Sequence, residues 1–501
     1  MKDKKEESPN IIVVLLDDLG YGDISLYDVN NKLKTPNIDR IGKEGIKFTD
    51  AHTPSAVCTP TRYGLLTGRY NWRTRLKNGV LTGKSKALIP NSRTTLASML
   101  KKKNYHTGFI GKWHLGWNWS LKDQIDTTGE GWNMDDFNII DFAGPITNTP
   151  KDLGFDYSYG HSGSLDMAPY VYVENGKATA LPDKTTVNTG DYSWWRKGPT
   201  SPDFVHEDVT PNFFRRSISY IQNNSKKDKP FFLYLALPSP HTPILPTEEW
   251  QGKSGLNPYG DFVLMIDNYI GQMLATLKNE GIENNTLIIF TSDNGCSPEA
   301  NFEELIAKGH NPSSIYRGHK ADIYEGGHRV PFMIRWPDKI KESKVSKKTI
   351  CLTDVLATLA DITGYDMADD EGEDSYSLMP ILTNNKSNSP LREATVHHSI
   401  NGSFAIRKEE WKLIMCPGSG GWSFPRPNNK EAIDTFPEIQ LYNLADDPGE
   451  VSNLQAQFPD KVNQLKEILV AYINNGRSTP GTPQKNDSIG FEWKQISQFE
   501  L

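Results

Sequence analysis

The runs IIVVLL (Ile11–Leu16) and FFLYLAL (Phe231–Leu237) are among the longest apolar stretches in the chain. Both fall far short of the ~20 residues that cross a bilayer. Neither alternates as a strand with one wet face does. An unbroken apolar run of this length fits a parallel strand covered on both sides. Shorter stretches at His106–Ile110 and Thr286–Thr291 read the same way. Helical periodicity appears at Thr94–Lys103, Phe213–Asn223, Asp261–Glu280 and Thr353–Thr363. The alternation predicts an α/β fold: a large domain with a central, mostly parallel sheet flanked by helices.

The 501 residues leave room for a second unit. After the polar segment Thr383–Pro390 the pattern changes. SFAIRKEEWKLIM reads as two strands around a short turn, and EIQLYNLADDPGE as a third. DKVNQLKEILVAYINNG places Val462, Leu465, Ile468, Leu469, Tyr472 and Ile473 on one helical face, with Gly476 as the stop. The predicted domains are therefore 9–385 and 386–501, the second a small α+β unit with an antiparallel sheet and one helix. Two long polar stretches, Trp117–Asp152 and Ala178–Asp208, read as insertions.

Net charge is −7, so nothing global favours nucleic acid or an anionic membrane. An anionic ligand would need a local cluster of positive charge. Cysteines 58, 296, 351 and 416 are too few and scattered for a disulfide scaffold or a zinc finger, which leaves at most one disulfide open. The start, MKDKKEESPN, has no apolar core of a signal peptide. A periplasmic or exported protein with its leader removed would begin this way, and that is the expectation; a cytoplasmic protein could begin so too.

Ligands of open α/β sheets bind beyond the carboxyl ends of the strands. Asp17 and Asp18 follow the first run, and Asp293 and Asn294 follow TLIIFTS. Lys112 and His114 follow HTGFI, and His241 follows FFLYLALPSP. The first four offer only oxygen, a set suited to Ca²⁺ or Mg²⁺. Singly, each pair could be a cap or turn former. Together, each after a buried strand, they point to a metal. Lys112, His114, His241 and Lys320 together could supply the positive pocket, although each alone reads as a solvated residue.

The stretch HTPSAVCTPTRYGLLTGRY adds a lone cysteine, Cys58, at a predicted helix start. Pro60 suits the first turn, Thr59 can cap it, and Arg62 lies one turn on. A positive helix end and a guanidinium both favour an oxyanion there. The plainer reading is a small buried cysteine.

CTPTRYGLLTGR resembles the signature of the formylglycine-dependent sulfatases, Cys-x-Pro-x-Arg followed by Leu-Leu-Thr-Gly-Arg. The likeness extends through NIIVVLLDDLGYGD, GKWHLG, PHTP, TSDNG, GHKADIYEGGHRVP and LYNLADDPGEVSNL, in the family's order and over almost the whole chain. It implies an alkaline-phosphatase-like fold. It also implies a Cys58 oxidised to Cα-formylglycine by a separate maturation enzyme, with CTPTR as part of the address. In the family the aldehyde is hydrated, and one hydroxyl, held by the cation and Arg62, attacks sulfur. The resemblance gives Asp17, Asp18, Asp293 and Asn294 the cation, usually Ca²⁺, with Mg²⁺ as the alternative. Lys112 would hold sulfate oxygens. His241 would protonate the leaving alcohol with Lys320 beside it, and His114 would deprotonate the second hydroxyl so that sulfate leaves. Ser164, in GFDYSYGHSGSLD, falls where a hydroxyl contacts the sulfate, with His161 or Asp166 as alternatives. Arg69 and Arg329 read as structural.

The implied activity is hydrolysis of a sulfate ester. The overall character resembles bacterial enzymes that act on sulfated glycans, with 6-O-sulfated galactose or N-acetylgalactosamine as the narrower expectation. Trp117, Trp119, Trp194, Trp195 and Trp422 are candidates to stack on a sugar. HHSINGS (His397–Ser403) and GSGGW (Gly418–Trp422) are candidate loops at the pocket mouth. Two rival expectations stand beside this. One is a phosphatase or phosphodiesterase of the same superfamily, and the other is a glycan-binding relative without activity.

Overall fold

The computed structural model describes residues 8–30, 32–122, 137–383 and 390–487. The four apolar runs all become strands, and each extends to or beyond its predicted carboxyl end: β1 (Asn10–Asp17), β2 (His106–Lys112), β4 (Phe231–Pro240) and β5 (Thr286–Ser292), with β3 (Tyr157–His161) beside them. The spatial order β5–β1–β4–β2–β3 is parallel throughout. These strands form the middle of a ten-stranded sheet, in which Phe332–Arg335 pairs antiparallel with β5.

The side chains of β1 divide by pleat. Ile11, Val13 and Leu15 pack in one layer with Tyr63, Leu65 and Leu66 of helix α1 (Cys58–Thr67). Ile12, Val14 and Leu16 pack in the other with Phe213 of α2 (Val209–Asn224) and Val263 and Ile266 of α3 (Pro258–Asn279). All six are fully buried, which is why the run shows no polar alternation. Each such side chain contributes about 1.5–3 kcal/mol of transfer free energy. Helix α3 begins three residues before its predicted start, because the Asn257 side chain accepts from the N–H groups of Tyr259 and Gly260.

Beyond residue 390 lies a separate antiparallel sheet of β6 (Thr395–His398), β7 (Phe404–Lys408), β8 (Trp411–Ile414) and β9 (Gln440–Asn443). Helix α4 (Pro459–Asn474) covers it, with Leu465, Leu469 and Ile473 packed against Ile406, Leu413 and Leu441. The expected loop HHSINGS is half strand: His397 and His398 are buried in β6, and only its later part is a turn. The proposed boundary at 385/386 lies outside the described residues, as do residues 123–136 of the first insertion. The second insertion folds as a hairpin of Lys184–Asn188 and Trp195–Thr200. All four cysteines are free. Among the described residues no helix is long and apolar enough to cross a membrane.

Candidate active site

Because β1 and β5 are parallel neighbours, their carboxyl ends meet. Asp17 closes β1, and Asp18 turns away with a left-handed φ of 66°. Its N–H donates to Asp293 Oδ1 at 3.3 Å, and Asn294 Nδ2 donates to Asp18 Oδ1 at 2.7 Å. Basic side chains surround this group. Lys112 Nζ, at the end of β2, donates to Asp17 Oδ2. Lys320 Nζ donates to Asp18 Oδ2 at 2.8 Å, and His241 Nε2 lies 3.6 Å from the same oxygen. Arg62 Nε donates to Asp293 Oδ2 at 2.9 Å.

The electrostatics divide the acidic set. Burial alone would raise Asp17, but Lys112, His241 and Arg62 hold it well below the carboxylate range. Asp293 is pushed up to about 7 by burial and by the charge of Asp17. Asp17 Oδ1 and Asn294 Oδ1 are buried without a hydrogen-bond partner. Two orphan oxygens in a set of oxygen donors fit a hard divalent cation.

Cys58 stands at the first position of α1, 2% exposed, after Val57, whose side chain makes no capping bond. Thr59 is therefore not the cap expected from the sequence. Its hydroxyl donates to the His114 carbonyl at 2.9 Å. Ligand atoms of Asp17, Cys58 and Asp293 all lie within 4.8 Å of one another. Burial pushes the Cys58 thiol up to about 11 against the pull of Lys112 and Lys320, so it is protonated and inert at neutral pH. Arg62 spends its fork on Asp293 and on the carbonyls of Lys112 and Leu237 rather than on Cys58.

His114 has φ 54° and places Nε2 2.7 Å from the Leu81 carbonyl. That contact requires a proton on Nε2, leaving Nδ1, buried without a partner, as the basic nitrogen. Burial and Lys112 hold its pKa well below the imidazole range, so the ring is neutral. Ser164 Oγ accepts from Lys112 Nζ at 3.1 Å and lies 3.3 Å from His241 Nε2, bridging the two.

These groups open into a cavity of about 240 Å³ lined by Cys58, His114, Ser164, Asp166, His241 and Lys320. Its outer wall comes from Trp194, Arg196, Glu299, Ile400 and Trp422. Trp194 Nε1 donates to Glu299 at 3.0 Å, and Arg196 pairs with Asp166. His161, the alternative to Ser164, is not among the lining residues; its ring stacks on Phe213 at 5.8 Å. Trp117 and Trp119 are core residues, and Trp195 stacks on His206. Arg196 and Glu299 escaped the sequence reading because nothing local distinguishes them from solvated charges.

Residues 9–365 match the Sulfatase family, and residues 319–475 match the family described as N-sulphoglucosamine sulphohydrolase, C-terminal. The chain belongs to the sulfatase family. This sulfatase is 35% identical to an N-acetylgalactosamine-6-O-sulfatase of Bacteroides thetaiotaomicron, over 93% of each chain. It is 28% identical to human arylsulfatase A, over 92% of this chain and 87% of that protein. A solved structure described under the metabolism of multiple glycosaminoglycans by Bacteroides thetaiotaomicron superposes with a TM-score of 0.80 at 33% identity, covering 93% of this chain and 99% of the other. The sulfatase fold is thus the one expected: a large, mostly parallel sheet with flanking helices and a smaller antiparallel sheet after it. The chain is an enzyme of the sulfuric ester hydrolase class.

Proposed function

We propose that this sulfatase removes the sulfate ester of a sulfated sugar, 6-O-sulfated N-acetylgalactosamine or galactose, using formylglycine made from Cys58. The placement of Cys58 within 4.8 Å of Asp17 and Asp293, at the floor of a cavity with an aromatic and charged wall, carries this reading. The 35% identical N-acetylgalactosamine-6-O-sulfatase supports the choice of sugar. The cavity is small beside the roughly 300–1,000 Å³ typical of ligand sites, which suits a single sugar unit.

Each side chain then has a task its geometry permits. Lys112 and Lys320, with Ser164 between Lys112 and His241, receive the sulfate oxygens and neutralise charge that grows as the ester breaks. His241 faces the leaving oxygen and gives it a proton. His114 Nδ1 takes a proton from the side chain at position 58 when sulfate is released. Burial keeps the His114 ring neutral and the Leu81 carbonyl fixes its tautomer. Arg62 holds Asp293 and the carboxyl end of β2 in register. Asp17, Asp18, Asp293 and Asn294 would hold Ca²⁺, or Mg²⁺ in its place, whose positive charge would polarise the sulfate oxygens. Asp166 and Arg196 offer an acceptor and a donor to sugar hydroxyls, and Trp194 and Trp422 offer apolar faces.

Cys58 is buried, so a maturation enzyme must reach it before α1 packs. Protein co-produced with a formylglycine-generating enzyme should release inorganic sulfate from 6-O-sulfated N-acetylgalactosamine faster than from the matched 4-O-sulfated sugar or the phosphate ester. Equal rates on all three, or preference for phosphate, would overturn the reading.

A further inference from the structure

Lys320 and Trp422 come from distant parts of the chain, yet both line the cavity. One side chain sits between their loops. Asp322 is fully buried. Its Oδ2 accepts from the His319 N–H at 3.0 Å, on the loop that carries Lys320. Its Oδ1 accepts from the N–H groups of Trp422 at 2.8 Å and Ser423 at 3.0 Å. No other carboxylate is bonded to any of these three amides among the described residues.

The backbone around Asp322 is drawn tight. Ala321 has φ 79°, a left-handed conformation that a residue with a Cβ adopts only when its surroundings impose it. Its N–H donates to the Ala56 carbonyl at 2.8 Å, two residues before Cys58. Its carbonyl accepts from the Ile400 N–H at 3.0 Å, in the turn after β6. Gly421 approaches so closely that a Cβ there would lie 2.4 Å from the Ala321 carbonyl and 2.5 Å from Asp322 Oδ1. Four segments, those before Cys58, around Lys320, after β6 and beyond β8, therefore meet at the Ala321–Asp322 dipeptide.

We propose that Asp322 is a positioning residue that locks the Lys320 loop and the Trp422 loop into one unit. The ammonium beside the reacting group and the aromatic wall beside the sugar are thereby set together. This role rests on the sugar-sulfatase reading for its kinetic consequences, but its structural content does not depend on activity. Removing the carboxylate frees three amides on two loops at once. An amide in its place has only one acceptor oxygen, so it can serve the Trp422–Ser423 pair or His319, not both. The pair offers two donors and wins.

Two measurements decide this. In Asp322→Ala, hydrogen exchange at His319 and at both Trp422 and Ser423 should accelerate together by about tenfold or more, with α1 still protected. Acceleration in one loop alone, in neither, or across the whole protein overturns the proposal, whether or not the enzyme turns over. In matured enzyme acting on 6-O-sulfated N-acetylgalactosamine, Asp322→Ala should lower kcat and raise KM, each by about tenfold. Asp322→Asn, near-isosteric and so retaining the fold, should restore KM to the parent value while kcat stays low. Parent kcat and KM in both variants would also overturn the proposal. A parent enzyme inactive on every sulfated sugar would instead overturn the functional reading and leave exchange to judge Asp322.

Discussion

Arg62, one helical turn after Cys58, donates through Nε to Asp293 Oδ2 at 2.9 Å, tying the helix that bears Cys58 to the end of β5. Both side chains are fully buried. Removing one partner of such a pair leaves an uncompensated charge in the interior. Arg62→Ala should therefore lose about 3–5 kcal/mol of stability in urea unfolding. Arg62→Lys keeps the charge but not the fork, and should fall between the two. A loss below about 1 kcal/mol for Arg62→Ala would show that the pair holds nothing together.

His114 offers a second test. With its Nε2 proton on the Leu81 carbonyl, it can accept a proton only at Nδ1. His114→Gln removes the proposed base and should lower kcat by about 10²–10⁴-fold. The first turnover is affected less than later ones, because the base acts in sulfate release. Rapid mixing should then show one equivalent of free sugar per enzyme, followed by a stall. A uniformly slow reaction with no burst would contradict the assigned step.

The acidic set predicts a metal-dependent melting temperature. Asp17 Oδ1 and Asn294 Oδ1 lack partners, and Asp293 is raised to about 7 by burial and the charge of Asp17. Protein stripped by a chelator should melt lower, and Ca²⁺ should restore both melting temperature and activity. At a free ion concentration of 100 Kd the gain is about 2.7 kcal/mol. Asn294→Ala should weaken the response. An unchanged melting curve on adding Ca²⁺ or Mg²⁺ would argue against the assignment.

The strand ends were legible in the sequence for a physical reason. A strand buried on both faces leaves an unbroken apolar run, so the charged or imidazole side chains within a few residues after it mark the sheet edge. Asp17, Lys112, His241 and Asp293 all fell out of that rule, and the sulfatase resemblance supplied their roles. The outer wall was legible in part: Trp194 and Trp422 were among the expected aromatic candidates and both line the cavity, as does Ile400 of the HHSINGS stretch, whereas Arg196 and Glu299 were not foreseen. Arg196 lies in a hairpin edge and Glu299 in a short turn, where a charged residue is the default. Ile400 and Trp422 line the cavity from the turn after β6 and from the loop beyond β8. Thr59 misled in the opposite way: its hydroxyl serves a distant carbonyl, a tertiary contact that no local capping rule contains.

A buried charge cluster behind the site gives a pH signature. Lys412 Nζ lies 3.1 Å from Glu325 Oε1 and 2.8 Å from Glu450 Oε1, linking β8 to the segment that follows Lys320. Glu450 is pushed up to about 7 by burial and by Glu325, with Lys412 opposing, against an ordinary value of 4.5. The folded chain thus holds a proton that the unfolded chain has released. Its stabilising effect is full below pH 4.5 and is lost as pH rises through about 7. Glu450→Gln mimics the protonated form. It should match the parent in thermal unfolding at the acid end of that window and exceed it on the alkaline side of 7. A parent advantage on the alkaline side would reverse the sign of the argument.

Everything in the proposed chemistry passes through position 58. Preparations made with graded amounts of a formylglycine-generating enzyme should span a range of conversion, read by mass spectrometry of the Cys58 peptide. Sulfate release from 6-O-sulfated N-acetylgalactosamine should rise in direct proportion to the converted fraction and extrapolate to zero at none. Turnover that is independent of conversion, or absent from fully converted enzyme on every sulfated sugar, would contradict it.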